Sequence, residues 1–161
     1  MDAERDRQPM PGVLLRRLTR YSDARGWLIE AFREDELPDW FRPVMGYVSL
    51  TYPGVARGPH EHAKQTDGFA FLSAKFRLYL WDNRPGGDKT LMTFDVGEEE
   101  PTLAIVPPGV VHAYKNVSNT DGYVLNFPDA LYAGRGKSEP VDEFRHEADP
   151  DSQFRLPEDD A

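Results

Sequence analysis

Between residues 13 and 133 the chain runs in short apolar or alternating stretches cut by turn residues. Val13-Leu14-Leu15 comes first, then Trp27-Leu28-Ile29-Glu30-Ala31-Phe32, Tyr47-Val48-Ser49-Leu50-Thr51 and Phe69-Ala70-Phe71-Leu72. Phe76-Arg77-Leu78-Tyr79-Leu80-Trp81 and Leu91-Met92-Thr93-Phe94-Asp95-Val96 alternate, and the series ends with Thr102-Leu103-Ala104-Ile105-Val106 and Tyr123-Val124-Leu125-Asn126-Phe127. Period-two alternation is the mark of a strand with one buried face. Tyr52-Pro53-Gly54, Arg84-Pro85-Gly86-Gly87 and Pro107-Pro108-Gly109 are strong breakers between these runs. Many short strands at such spacing predict an all-β sandwich or barrel. The one stretch that reads as helical, from Glu34 to Phe41, is interrupted by Pro38. Residues 1–12 are polar and hold Pro9 and Pro11, which predicts a loose arm before a domain spanning 13–133. Residues 134–161 carry nine acidic against four basic side chains. Phe144, Phe154 and Leu156 within that acidic segment predict that part of it packs back on the barrel.

Charge and composition narrow the functional classes. The 161 residues hold 28 acidic and 19 Lys or Arg side chains, a formal charge of −9. A nucleic-acid or anionic-membrane surface needs a basic face, so neither partner is expected. There is no cysteine, which excludes disulfides, thiolate metal sites and cysteine nucleophiles. Met1-Asp2-Ala3-Glu4-Arg5-Asp6 lacks the apolar stretch of a signal peptide, and no apolar run approaches a membrane span. The expectation is a soluble, cytoplasmic protein.

The chemistry concentrates in two segments. In Gly58-Pro59-His60-Glu61-His62 an extended chain points His60 and His62 to one face and Glu61 to the other. Asp67 follows five residues after His62, and a second segment, Pro107-Pro108-Gly109-Val110-Val111-His112, is followed by Asn116. The pair resembles the two sequence motifs of the cupin superfamily, which implies a double-stranded β-helix, the cupin jelly roll. Ala74 and Pro101 stand where those motifs carry glycines. One reading of these residues is a divalent metal ion, Fe, Mn, Ni or Zn, held by His60, His62, Asp67 and His112. Another is a binding cupin without catalysis.

A narrower resemblance covers residues 13 to about 150. Asp23-Ala24-Arg25-Gly26-Trp27-Leu28-Ile29-Glu30-Ala31-Phe32, Gly54-Val55-Ala56-Arg57-Gly58-Pro59-His60 and Val106-Pro107-Pro108-Gly109-Val110-Val111-His112-Ala113-Tyr114 are similar to blocks of the dTDP-4-dehydrorhamnose 3,5-epimerases. Asp142-Glu143-Phe144-Arg145 and Asp149-Pro150 resemble that family's terminal segment. The resemblance implies a sugar-nucleotide epimerase or ketoisomerase that removes a proton beside a 4-keto group, works without a cofactor and forms homodimers. It implies His60 as the base, Asp149 as the acid that orients it, and Arg25, Glu30, Arg57 and His112 as substrate-binding residues. The exchange of the N-terminal strand around Val13–Leu18 between two copies is the expected route to the dimer. Leu125 stands where the family carries its proton-donating tyrosine, and Asp67 where it carries a lysine. Met45 and Tyr47 replace its Gln and Asn. Tyr123 or Tyr132 is therefore the expected donor, or the chemistry is confined to one carbon.

Overall fold

A computed structural model describes residues 5–158. Two antiparallel sheets face each other. The larger contains, in spatial order, β1 (Asp6–Arg7), β2 (Leu14–Arg17), β10 (Thr102–Val106), β7 (Asp67–Phe71), β12 (Gly122–Asn126) and β5 (Tyr47–Thr51). The smaller runs β13 (Phe144–Arg145), β6 (Ala56–Glu61), β11 (Val110–Asn116), β8 (Lys75–Asp82) and β9 (Met92–Gly97). A separate hairpin, β3 (Arg20–Asp23) and β4 (Gly26–Ile29), stands outside both. Strands distant in sequence are neighbours in each sheet, which is the jelly roll that the two motifs imply. Among the described residues no helix is long and apolar enough to cross a membrane.

The sequence pattern maps onto three buried clusters. Phe69, Phe71, Phe76, Leu78, Leu80, Val110, Tyr114 and Val124 fill the space between the sheets. Leu14, Leu37, Phe41, Ala70, Leu103 and Ile105 are buried on the outer side of the larger sheet. Tyr79, Trp81, Val111, Ala113 and Phe154 form the third cluster, outside the smaller sheet. The central strands β7 and β10 are thus covered on both faces, so they read as continuous apolar runs rather than alternating ones. Each such Phe or Leu contributes about 1.5–3 kcal/mol through its burial.

Two expectations change. The N-terminal arm is not loose over the described residues: Asp6 and Arg7 pair with β2, and Arg16 holds the Asp6 carboxylate through Nε at 2.7 Å and Nη2 at 2.9 Å. A buried Arg–Asp fork supplies what that polar stretch lacks in apolar area. The segment from Glu34 to Phe41 holds only a 3₁₀ turn at Glu34–Glu36, because Pro38 cannot continue a helix. It anchors instead through buried Leu37 and Phe41. The strand β2, within the Val13–Leu18 stretch, pairs with β1 and β10, and the edges of the two sheets are β1, β5, β9 and β13. In the acidic C-terminal segment Phe154 and Leu156 pack as expected, while Phe144 stays 53% exposed.

Candidate active site

Arg57 and His60 are three residues apart, so a regular strand would point them to opposite faces. A bulge in β6 resolves this. Arg57 pairs with Tyr114 and His60 with His112, so Gly58 and Pro59 together stand opposite Ala113 alone. Gly58 takes φ +83°, and a Cβ there would lie 2.6 Å from the His112 carbonyl oxygen. Only glycine fits. Both Arg57 and His60 thereby face the space between the sheets, while Glu61 points outward to His146.

His60, His62, Asp67 and His112 converge there, each offering a ligand atom within 4.8 Å of the others. His62 Nε2 lies 2.8 Å from Asp67 Oδ2, and its Nδ1–H donates to the Asp142 carbonyl. Gln65 Nε2 donates to the other oxygen of Asp67 at 2.7 Å. His112 Nδ1–H donates to the Val110 carbonyl at 3.0 Å. Its Nε2 approaches Asp67 Oδ2 to 3.1 Å, yet off the line of a hydrogen bond, and remains a buried atom without a partner. His60 stacks edge-on against His112 with ring centres 4.4 Å apart.

The four groups have divergent electrostatics. Burial pulls His62 down, but the hydrogen bond and charge of Asp67 outweigh it and lift the imidazole to about 9. Burial raises Asp67, while the flanking His112 and His62 hold it well below the usual carboxylate range. Burial, reinforced by His112 and His62, pushes His60 down to about 2. His60 is thus a neutral imidazole beside a charged His62–Asp67 pair. It is half-buried where the other three are buried, and its ring makes no hydrogen bond among the described residues.

The walls around His60 come from β5, β11 and β12. Ser49 Oγ meets the Tyr114 hydroxyl at 3.1 Å, and Arg57 Nε donates to Thr51 Oγ1 at 3.0 Å. The odd-numbered residues of β5, Tyr47 included, therefore face inward. Asn126 on β12 also points inward, with Nδ2 3.3 Å from Ser49 Oγ. The alternation Tyr47-x-Ser49-x-Thr51 is a readable signal for this wall, one that matching of motifs passes over.

Other expected site residues lie elsewhere. Tyr123 and Leu125 occupy the outward positions of β12, because Val124 and Asn126 are its inward ones. Neither faces His60. Asp149 lies past the 3₁₀ turn His146–Ala148, where its Oδ1 accepts the Asp151 N–H at 3.0 Å, and it makes no bond to His60. The reason is the anchor before it: His146 Nε2 is 2.8 Å from Glu61 on the outward face of β6, with Ser152 Oγ on its other nitrogen at 2.9 Å. Asp67 is the carboxylate among the histidines. Arg25 sits at the β3–β4 turn with its side chain 90% exposed and paired to Asp23. Glu30 follows β4, pairs with Arg33 at 3.5 Å and borders Arg16 and Leu103 on the outer side of the larger sheet. Within one chain, Arg57 and His112 join His60, and Arg25, Glu30, Tyr123 and Asp149 do not.

The C-terminal strap covers one side of the group. Asp142 accepts backbone N–H bonds from Ala63, Lys64 and Gln65 at 2.9, 2.8 and 2.9 Å. Burial is the largest single influence and raises its carboxyl, but the three donors together, with the charge of His62, hold it below the usual range. A carboxyl lowered in the folded state stabilises above the ordinary carboxylate range and loses that contribution as pH falls through its depressed value. Asp142→Asn is expected to cost about 1 kcal/mol at pH 7, the value of such bonds after solvent screening. Urea midpoints should show the parent and variant converging as pH falls below the ordinary carboxylate range, and a gap independent of pH would contradict the account.

Comparison with known proteins identifies relatives of this architecture. The model of the family described as polysaccharide biosynthesis C-terminal domain matches residues 21–137. A probable low-salt glycan biosynthesis epimerase of Haloferax volcanii is 33% identical over 74% of this chain and 79% of its own. A spore coat polysaccharide biosynthesis protein of Bacillus subtilis is 34% identical over 75% of this chain and 81% of its own. Among solved structures, the dTDP-6-deoxy-D-glucose-3,5-epimerase of Legionella pneumophila superposes with a TM-score of 0.73 at 21% identity, covering 94% of this chain and 82% of that one. That last likeness carries the fold, and the jelly roll expected from the motifs is the fold observed. With the family model spanning most of its length, the chain belongs to the polysaccharide biosynthesis C-terminal domain family.

Proposed function

We propose that the protein is a sugar-nucleotide epimerase or ketoisomerase that abstracts a proton beside a 4-keto group, with His60 as the base. The observation that carries this reading is His60 itself. Its neutral imidazole is half-buried where the rest of the cluster is buried, it has no hydrogen bond among the described residues, and it shares its wall with a guanidinium. Arg57 is held by Thr51 Oγ1 at 3.0 Å and the Leu50 carbonyl at 2.7 Å, which leaves donors for a developing enolate or a phosphate. His60 starts as a weak base. The negative charges of a diphosphate and of the enolate favour its protonated form and raise its basicity when substrate is bound. The epimerase name of the Haloferax relative and the epimerase fold of the Legionella enzyme support the same reading.

Calorimetry with dTDP and with UDP tests the nucleotide half of this reading. Binding is expected at low ionic strength and weaker at high, since Arg57 meets phosphate as a charge. Absence of heat with either nucleotide at both salts would contradict it.

A homodimer is part of the proposal. The β5 edge is unpaired, and Val48 and Tyr123 lie exposed beside it. The β3–β4 hairpin exposes Tyr21, Trp27 and Leu28, and a second copy seated there would take up this apolar area. Arg25 and Glu30 would then serve the partner's site rather than their own. Sedimentation showing only single chains at micromolar concentration would contradict this. The cytoplasm is the compartment proposed.

A second reading rests on His112 Nε2, the buried nitrogen without a partner. With Nδ1 of His62 and His112 both fixed to backbone carbonyls, their Nε2 atoms are turned toward Asp67, as ligand histidines are when oriented from behind. The donor set fits a divalent cation held by His60, His62, Asp67 and His112. Such an ion would supply Lewis-acid polarisation of a bound carbonyl.

A further inference from the structure

Inversion at a carbon needs two groups: one that removes the proton and one that returns a proton to the opposite face. His60 is the first. Of the positions that the sequence suggested for the second, Tyr123 and Leu125 point out of the barrel, and Tyr132 lies beyond β12, 58% exposed, with its backbone N–H on Met45 Sδ at 3.3 Å. The wall facing β6 holds two phenols. Tyr114 is 3% exposed, packed edge-on against Phe69, Phe71 and Phe76, with its hydroxyl on Ser49. It is structural. Tyr47 is different. It is 48% exposed, and its hydroxyl has no hydrogen-bond partner among the described residues.

Its place in the fold favours Tyr47. The Thr51–Arg57 bond at 3.0 Å ties β5 to β6. Tyr47 lies four residues back from that tie, about 13 Å along its strand, and His60 lies to the same side of it, two register positions away across the bulge, about 7 Å. Both side chains therefore enter the space between the sheets on the same side of the tie, from strands of opposite sheets, and the charges of Asp67 and Arg57 act on the Tyr47 phenol. Asn126, the cross-strand neighbour of Tyr47, fills the inward position of β12 with a side chain already committed to Ser49 and the Val124 carbonyl.

Resting on the epimerase reading above, we propose that Tyr47 is the catalytic residue that returns the proton on the face opposite His60. His60 takes the proton from the carbon beside the ketone, and the electron pair of that C–H bond moves into the enolate. The enolate carbon then takes the Tyr47 hydroxyl proton on its other face as the ketone re-forms. The resulting phenolate regains a proton from water through the open end of the barrel, and protonated His60 releases its own. Burial raises the Tyr47 phenol to about 12, with Asp67, Tyr114 and Glu143 acting in the same direction and Arg57 against them. The hydroxyl thus keeps its proton at neutral pH until the enolate calls for it.

Tyr47→Phe, which keeps the ring, separates the two half-steps. With dTDP-4-keto-6-deoxyglucose in deuterium oxide, the variant is expected to exchange substrate hydrogen at a rate near the parent's. Its inverted product, followed by NMR, should fall about 100-fold, the lower range for loss of a general acid. Inversion at the parental rate in Tyr47→Phe would overturn the proposal, as would loss of inversion in Tyr132→Phe with Tyr47→Phe unaffected. Loss of exchange together with inversion in Tyr47→Phe would also overturn it, because the phenol would then act in binding. Absence of exchange in the parent protein would overturn the epimerase reading itself and this assignment with it.

Discussion

His60→Asn is expected to fold like the parent and to lose solvent-deuterium exchange into a 4-keto sugar nucleotide by about 10²–10⁴-fold, the range for removing a general base. The fold survives because His60 is only half-buried and makes no hydrogen bond among the described residues, so its replacement orphans no partner. His62→Asn has the opposite profile. It breaks a buried pair with Asp67 at 2.8 Å, which leaves the carboxylate without its countercharge. Stability should fall by about 3 kcal/mol, while exchange persists in the folded fraction. Two histidines two residues apart thus separate chemistry from stability. Equal loss of exchange in both variants, with unchanged unfolding midpoints, would contradict the account.

Gly58→Ala carries the second large effect. The site depends on a bulge in which Gly58 takes φ +83° and passes under the His112 backbone. An alanine methyl there meets the His112 carbonyl oxygen at 2.6 Å, and a backbone atom cannot swing aside as a flexible side-chain tip can. Gly54 is a matched control, since it has φ +75° and nothing within 4 Å of where a Cβ would sit. Gly54→Ala should cost only the conformational term, about 1 kcal/mol. Gly58→Ala should cost about 3 kcal/mol or more, among the larger values for a single substitution. Chemical denaturation of both reads the difference directly. Similar losses would mean that the bulge relaxes freely, and the placing of Arg57 and His60 on one face would lose its physical basis.

The sequence made the central cluster legible because its residues sit on strands, where spacing dictates direction. His60 and His62 at i and i+2, with His112 on a facing register, converge as their motifs imply. What alternation could not reveal was the bulge. By period two alone Arg57 and His60 fall on opposite faces, and only Gly58 hints otherwise. Alternation also decides the fate of Leu125. A one-position difference along β12 moves every side chain to the other face, so matching the donor tyrosine by residue count led to an outward position. Asp149 failed for another reason. Its place depends on His146 clasping Glu61 and Ser152 outside β6, a tertiary contact with no periodic signature. Asp142, which fixes both the turn at residues 63–65 and the His62 ring, reads in the sequence as one more charge of an acidic tail.

The most direct test of the central claim is deuterium incorporation by the parent protein after exhaustive chelation. The substrate is dTDP-4-keto-6-deoxyglucose, and metal content is measured on the same sample. Proton abstraction by His60 predicts exchange at an undiminished rate in metal-free protein. Exchange that vanishes on chelation and returns with a stoichiometric divalent ion would contradict it, since His60 would then be a ligand and not a base.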